Sequence, residues 1–382
     1  MITLRKHVLP SILALVLLST SACTSGVAAG IPSAGIPSGG TPSGTPSKSG
    51  GGTSQSAAPA ESASPSAAVP QLTPASTVDA RTVLAAFKSR DMVGHLQALQ
   101  RVADANGGNR ASGTPGYEES ARYVEEQLRA AGYEPVRQSF TFKEDGRRGK
   151  TVETFNILAE TGGSAGHTVV VGAHLDSVED GPGINDNGSG VAAILETAKW
   201  MKEKGITPVN RVVFAFWGAE ENDLDGSRHY VNELSKAGKE QTAAYLNVDM
   251  AASPNGVRSF HDGDGSDFGD AGPKGSDGIE AVFERYFKEN SLPAETTPFE
   301  DGDSDYDPFL RAGIPGGGLF TGEEKKKTKA QVQAYGGVAG KVLDSCYHKA
   351  CDTVSNINAD LFKEMSGAMA YATATYAMAK TG

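Results

Sequence analysis

Thr168-Val169-Val170-Val171-Gly172-Ala173-His174-Leu175-Asp176-Ser177 is a short apolar run that ends on a histidine and an aspartate. Two runs of the same kind follow, Arg211 to Trp217 and Tyr245 to Val248, with helical stretches such as Val191 to Lys204 between them. Short, wholly apolar strands alternating with helices are the pattern of a parallel sheet buried on both faces. Gly278 to Lys288 is a further helix candidate, and Ile314 to Phe320 a weaker strand candidate because Pro315 and three glycines interrupt it. Upstream, Asp91 to Asn106 and Glu118 to Ala131 space their apolar residues as amphipathic helices. Glu134 to Phe142 and Val152 to Ala159, separated by the charged turn Lys143 to Lys150, read as an antiparallel pair. The expectation is an α/β fold, a three-layer αβα sandwich with a mixed, mostly parallel central sheet.

Polar residues that can carry chemistry sit where such a sheet ends. His174 follows the first run, Glu220 and Glu221 the second, and Asp249 the third, so all lie beyond carboxyl ends of expected strands, the edge at which α/β sheets bind ligands. Any one of these alone would more often be a structural hydrogen-bonding group or solvated surface. Repetition at three strand ends makes a site. Asp186, in the glycine-rich turn Gly183 to Gly190, and His348, flanked by Cys346 and Cys351, complete a set of five donors. Two neighbouring divalent ions need a bridging carboxylate plus a histidine and a carboxylate each. Five ligands meet that demand, and Glu220 remains as a base.

The stretches His174-Leu175-Asp176-Ser177, Gly183-Ile184-Asn185-Asp186-Asn187-Gly188-Ser189-Gly190, Trp217-Gly218-Ala219-Glu220-Glu221, Asn247-Val248-Asp249-Met250 and Cys346-Tyr347-His348 resemble, in order and spacing, the secreted bacterial di-zinc aminopeptidases. The resemblance runs from about Asp91 through Asn358. It implies that Asp186 bridges two zinc ions, that His174 and Asp249 complete one site and Glu221 and His348 the other, and that Glu220 is the general base. It further implies that Tyr347 donates to the developing oxyanion, that the peptide after Asp186 is cis, and that Glu220 and Asp249 meet the free α-amino group of a peptide substrate. A pocket near Gly316 to Phe320 would take the first side chain, with leucine, phenylalanine or methionine favoured. Asp176, two residues past His174, is placed to accept the imidazole's other N–H and hold its tautomer.

The clearest departure from that family is Glu300-Asp301-Gly302-Asp303-Ser304-Asp305-Tyr306-Asp307, where relatives usually show Arg at the position of Asp303 and His at that of Tyr306. Added carboxylates near the pocket could draw a lysine or arginine side chain instead. The acids at 301, 303, 305 and 307 also imitate a calcium loop, although Tyr306 stands where such a loop needs glycine; structural Ca²⁺ is a candidate cofactor here. A second acidic stretch, His261 to Asp270, reads as a solvated loop.

The chain's two ends and its composition limit the alternatives. Met1 to Ala22 has a basic start, an apolar run and small residues before Cys23, the pattern of an export signal, and Cys23 is a candidate lipidation site. Residues 23 to 75, dominated by Gly, Ser, Pro, Ala and Thr, read as a flexible tether, leaving 76 to 382 as one catalytic domain. The expected location is the cell surface or the medium, with contact to a membrane only through a lipid at Cys23. A net charge of −11 argues against nucleic acid as a partner. In an exported chain Cys346 and Cys351 most simply form a disulfide, whose short loop would orient Tyr347 and His348. The chain is expected to act as a monomer. Two competing readings remain: another exopeptidase or a single-zinc cyclase related to glutaminyl cyclases, which would not need all five ligands, and a non-catalytic binding module, which would have lost one of them.

Overall fold

A computed structural model describes residues 72–74, 77–144, 149–163 and 166–381, all within one unit spanning Ser64–Gly382. The export segment, Cys23 and nearly all of the expected tether lie outside the described residues. The strands in chain order are β1 (Leu72–Thr73), β2 (Val136–Lys143), β3 (Thr151–Glu160), β4 (Thr168–His174), β5 (Arg211–Trp217), β6 (Thr242–Val248), β7 (Ser259–His261), β8 (Glu295–Thr297), β9 (Gly316–Phe320) and β10 (Lys380–Thr381). The helices are α1 (Ala80–Lys88), α2 (Val93–Ala105), α3 (Pro115–Ala130), α4 (Gly190–Glu203), α5 (Asp225–Glu233), α6 (Lys236–Gln241), α7 (Ser276–Glu289), α8 (Tyr306–Arg311), α9 (Lys329–Tyr335) and α10 (Ala359–Ala377). β1 pairs with β10, so residues 72–73, inside the stretch expected to be tether, form a strand.

Eight strands form the central sheet in the order β2-β3-β5-β4-β6-β9-β7-β8. Its middle, β5-β4-β6-β9, is parallel, whereas β2 and β3 join antiparallel at one edge and β7 meets β9 antiparallel at the other. The mixed, centrally parallel sheet is the one expected. Alternation along the strands divides the apolar side chains between two layers. Val169, Val171, Val212, Phe214, Phe216, Leu246 and Val248 pack with α1, α4, α7 and α10, while Val170, Val213, Trp217 and Tyr245 pack with Val231 of α5 and Phe309 of α8. Helices on both faces explain why these strands carry no polar parity.

The termini of the helices follow local chemistry. Thr114 caps α3 by accepting from Tyr117 N, with Pro115 in the first turn, so this helix starts earlier than its apolar spacing suggests. β9 is a central strand despite its glycines. A Cβ on Gly318 would lie 2.3 Å from the Asn247 carbonyl oxygen, so close approach of β9 to β6 requires glycine there.

Candidate metal centre

Because β4, β5 and β6 run parallel side by side, their carboxyl ends open on one edge of the sheet. His174 is the last residue of β4, paired with Trp217; Asp249 directly follows β6; and Glu220 and Glu221 lie three and four residues past β5. Asp186 comes from the turn between β4 and α4, and its peptide bond to Asn187 is cis. His348 arrives from a loop closed by the Cys346–Cys351 disulfide. All five expected ligands and Glu220 therefore line one cavity of about 280 Å³.

The centre has two halves that meet at Asp186. His174 Nε2 lies 3.2 Å from Asp186 Oδ1 and 3.4 Å from Asp249 Oδ1. His348 Nε2 lies 3.1 Å from Asp186 Oδ2 and 3.1 Å from Glu221 Oε2. Each Asp186 oxygen thus serves one histidine, and each histidine has its own second carboxylate. The donor set fits divalent cations on a further count: Asp249 Oδ1 and Glu221 Oε1 are buried and have no hydrogen-bond partner among the described residues. Glu220 Oε2 is the more distant neighbour, 3.9 Å from His174 Nε2, though it too lies close enough to His174 and Asp249 to share an ion with them.

The carboxylates are too crowded to stay ionised without positive charge. Burial pushes Glu220 well above the usual carboxylate range, with Asp305, Asp249 and Glu221 adding to it, and burial together with Asp186 pushes Glu221 up to about 7. Asp186 goes the other way: burial opposes its charge, but the hydrogen bonds with His174 and His348 outweigh it. For His174, burial opposes protonation and the surrounding acids overcome it, so its pKa lies well above the ordinary imidazole value. A site that demands cationic partners so strongly is suited to metal.

Surrounding groups hold the ligands in place. His174 Nδ1 is 3.2 Å from the main-chain oxygen of Asp176 and 3.8 Å from its carboxylate, so the carbonyl takes the imidazole proton and turns Nε2 toward the centre. The Asp176 carboxylate accepts instead from Glu220 N at 3.3 Å. Asp249 Oδ2 accepts from Ser304 Oγ at 2.7 Å, and Ser304 accepts from Asn247 at 3.0 Å. Asp352 accepts from the main-chain N–H groups of Asn185 and Asp186 at 2.9 and 3.0 Å. Buried Arg110 donates to the carbonyls of Pro182, Gly183 and Leu175. Ala219, Met250 and His348 adopt left-handed backbone at φ 54°, 51° and 55°, conformations that persist only where neighbours enforce them. Tyr347 stacks on His348 with ring centroids 3.8 Å apart and lines the cavity. Burial and the nearby Asp186 push its phenol far up, so it remains a proton donor.

Ser304, Asp305 and Asp352 were missed as parts of this centre. Asp305 is 1% exposed, neither carboxylate oxygen has a hydrogen-bond partner among the described residues, and it acts electrostatically on Glu220. The expected calcium loop is interrupted by α8, which begins at Tyr306. Asp301, which is exposed, and Asp307 both reach Arg311, at 3.4 and 2.7 Å, and Asp305 is buried. Among the described residues, no three of these acids gather around one point. The 261–270 stretch is not a plain solvated loop either: Asp262 is fully buried and accepts from the N–H groups of Ser266, Asp267 and Phe268. No helix among the described residues is long and apolar enough to cross a membrane.

Known proteins resemble this chain in sequence and in fold. The profile of Peptidase family M28 matches residues 156–373. The chain is 53% identical over 225 residues to an aminopeptidase of Pseudomonas aeruginosa, covering 59% of this chain and 41% of that protein. It is 43% identical over 279 residues to leupeptin-inactivating enzyme 1 of Streptomyces exfoliatus, covering 73% of this chain and 59% of the relative. The match thus spans about half the length of these relatives. The fold is similar to that of a zinc aminopeptidase from Bacillus subtilis, with a TM-score of 0.59 at 17% identity, over 74% of this chain and 94% of that structure.

Proposed function

The chain belongs to peptidase family M28, and from that premise we propose that it is a metallo-aminopeptidase that hydrolyses the N-terminal residue from peptides using two zinc ions. One observation carries the reading: Asp186 presents one oxygen to His174 and the other to His348, with Asp249 and Glu221 completing the two halves. His174, Asp186 and Asp249 would hold one ion and His348, Asp186 and Glu221 the other. When bound, a pair of such ions lowers the pKa of a shared water and polarises the scissile carbonyl.

The chain's own residues account for the rest. Glu220, next to the ligands but not among them, takes the proton of the attacking water and delivers it to the departing amine. Its main-chain N–H to Asp176 fixes where that carboxylate stands. The Tyr347 hydroxyl donates to the carbonyl oxygen as negative charge grows there. Glu220 and Asp249 face the cavity and give the substrate's α-ammonium two acidic partners, which makes a free N-terminus a requirement. Retention of all five ligands and of Glu220 supports a peptidase over a single-zinc cyclase or a binding module.

Leucine p-nitroanilide should be cleaved, chelation should stop it, and added zinc should restore it. Glu220→Gln should lose turnover while retaining stoichiometric zinc by elemental analysis. Full activity in that variant, or activity in rigorously metal-free protein, would refute the mechanism.

A further inference from the structure

We infer that the cavity beside the centre is built for a basic first residue, lysine or arginine, with Asp303 and Glu323 as the groups that select it. This deepens the aminopeptidase reading and rests on it. The cavity has apolar walls, among them Met250, Leu319 and Phe320, and two further carboxylates, Asp303 and Glu323. A lysine or arginine side chain has the same division, an apolar stem and a charged head.

The two acids are not already neutralised. Neither has a Lys, Arg or His partner within ion-pair distance among the described residues, whereas neighbouring Glu300 pairs with Lys325 at 3.0 Å and cavity-lining Asp223 with Arg228 at 3.1 Å. Asp303 accepts only from the Tyr306 hydroxyl, at 3.1 Å. The proposed ions would not absorb their charge either. Neither acid belongs to the proposed ligand set, so Asp303 and Glu323 remain as further carboxylates in the cavity lining.

A buried, uncharged histidine is a further feature of the same cavity. His261 lines it, is 5% exposed, and has no hydrogen-bond partner for Nδ1 among the described residues. Burial pushes this imidazole down to about 4 against a main-chain hydrogen bond to Gly318, so it is neutral and adds no positive charge beside the two acids. An aliphatic side chain would leave both carboxylates without a cationic partner; an ammonium or guanidinium supplies one.

The test compares lysine and norleucine, which share a stem and differ in the terminal amine. With the zinc-loaded protein at low salt, kcat/KM for lysine p-nitroanilide should exceed that for norleucine p-nitroanilide about tenfold, the effect of one charge-assisted contact. The ratio should fall toward one as ionic strength rises. Asp303→Asn and Glu323→Gln should each lower it. Calorimetry with lysine amide and norleucine amide reads the same preference as binding, without turnover. Equal or better handling of norleucine in both assays, or a ratio untouched by either variant, overturns the inference. Lysine amide bound in preference while no p-nitroanilide is cleaved would sink the aminopeptidase reading and leave the pocket assignment standing.

Discussion

Opening the Cys346–Cys351 bridge separates two roles a disulfide can have. The cysteines are 5 positions apart, and closing so short a loop constrains the unfolded chain by only about 2 kcal/mol on the chain-entropy relation. That is a modest part of a domain's stability, so reduction should leave the protein folded. Its effect on the centre should be larger. His348 supplies one of the three donors of its half-site from a side chain that is 41% exposed, and it holds a left-handed φ of 55° that the bridged loop enforces. Freed to relax, the imidazole would leave Asp186 and Glu221 as the remaining donors, and losses of this kind weaken metal binding on the order of 10–100-fold. The assay is a zinc titration in metal buffer, in a phosphine reductant and in the Cys346→Ala/Cys351→Ala variant, followed by leucine p-nitroanilide turnover and by urea unfolding. We expect weaker zinc binding, activity recovered at excess zinc, and an unfolding free energy lower by about 2 kcal/mol. Unchanged zinc affinity with both thiols titrated as free would refute the positioning argument. So would loss of activity that simply tracks global unfolding.

Two further outcomes follow from groups around the core and the centre. Burial opposes ionisation of Glu196, but hydrogen bonds from His95, Lys199 and Arg90 outweigh it and hold the carboxyl down at about 2. A depressed carboxylate pKa stabilises the fold above its unfolded value, so as pH falls from about 4.5 to about 2 the protein should lose at most about 3 kcal/mol from this group, less where Lys199 is solvated. Urea midpoints across that window should lose this slope in Glu196→Gln; an unchanged slope would show the network to be silent. Ser304→Ala removes the 2.7 Å donor to Asp249 and should lower zinc affinity or turnover on the order of tenfold with little change in stability, read by metal titration beside thermal unfolding. Wild-type zinc affinity and turnover would count Ser304 as a bystander.

Parts of this molecule were invisible to pattern reading for identifiable reasons. α10 is buried along almost its whole length, so Ala359–Ala377 offers no polar face against which a helical period could show; its one local sign is Asn358, which caps Leu361 N. β9 looked broken because glycines lower strand propensity, yet Gly318 is the residue that lets β9 approach β6. The acids of 301–307 look alike in sequence but differ in surroundings, because a helix starts among them: Asp301 and Asp307 both reach Arg311, Asp303 accepts from Tyr306, and Asp305 is buried.

The parallel strands β4, β5 and β6, their burial on both faces and the chemical types gathered at their ends were determined by the sequence itself, because apolar runs and donor side chains are local properties of the chain. Which oxygen of Asp186 faces which histidine, that the Asp176 carbonyl and not its carboxylate takes the His174 proton, that Ser304 and His261 line one cavity, and that Asp352 holds the main chain of Asn185 and Asp186 were decided only by the tertiary structure. Those relations join residues up to 167 positions apart, and nothing in local composition encodes a distance between them.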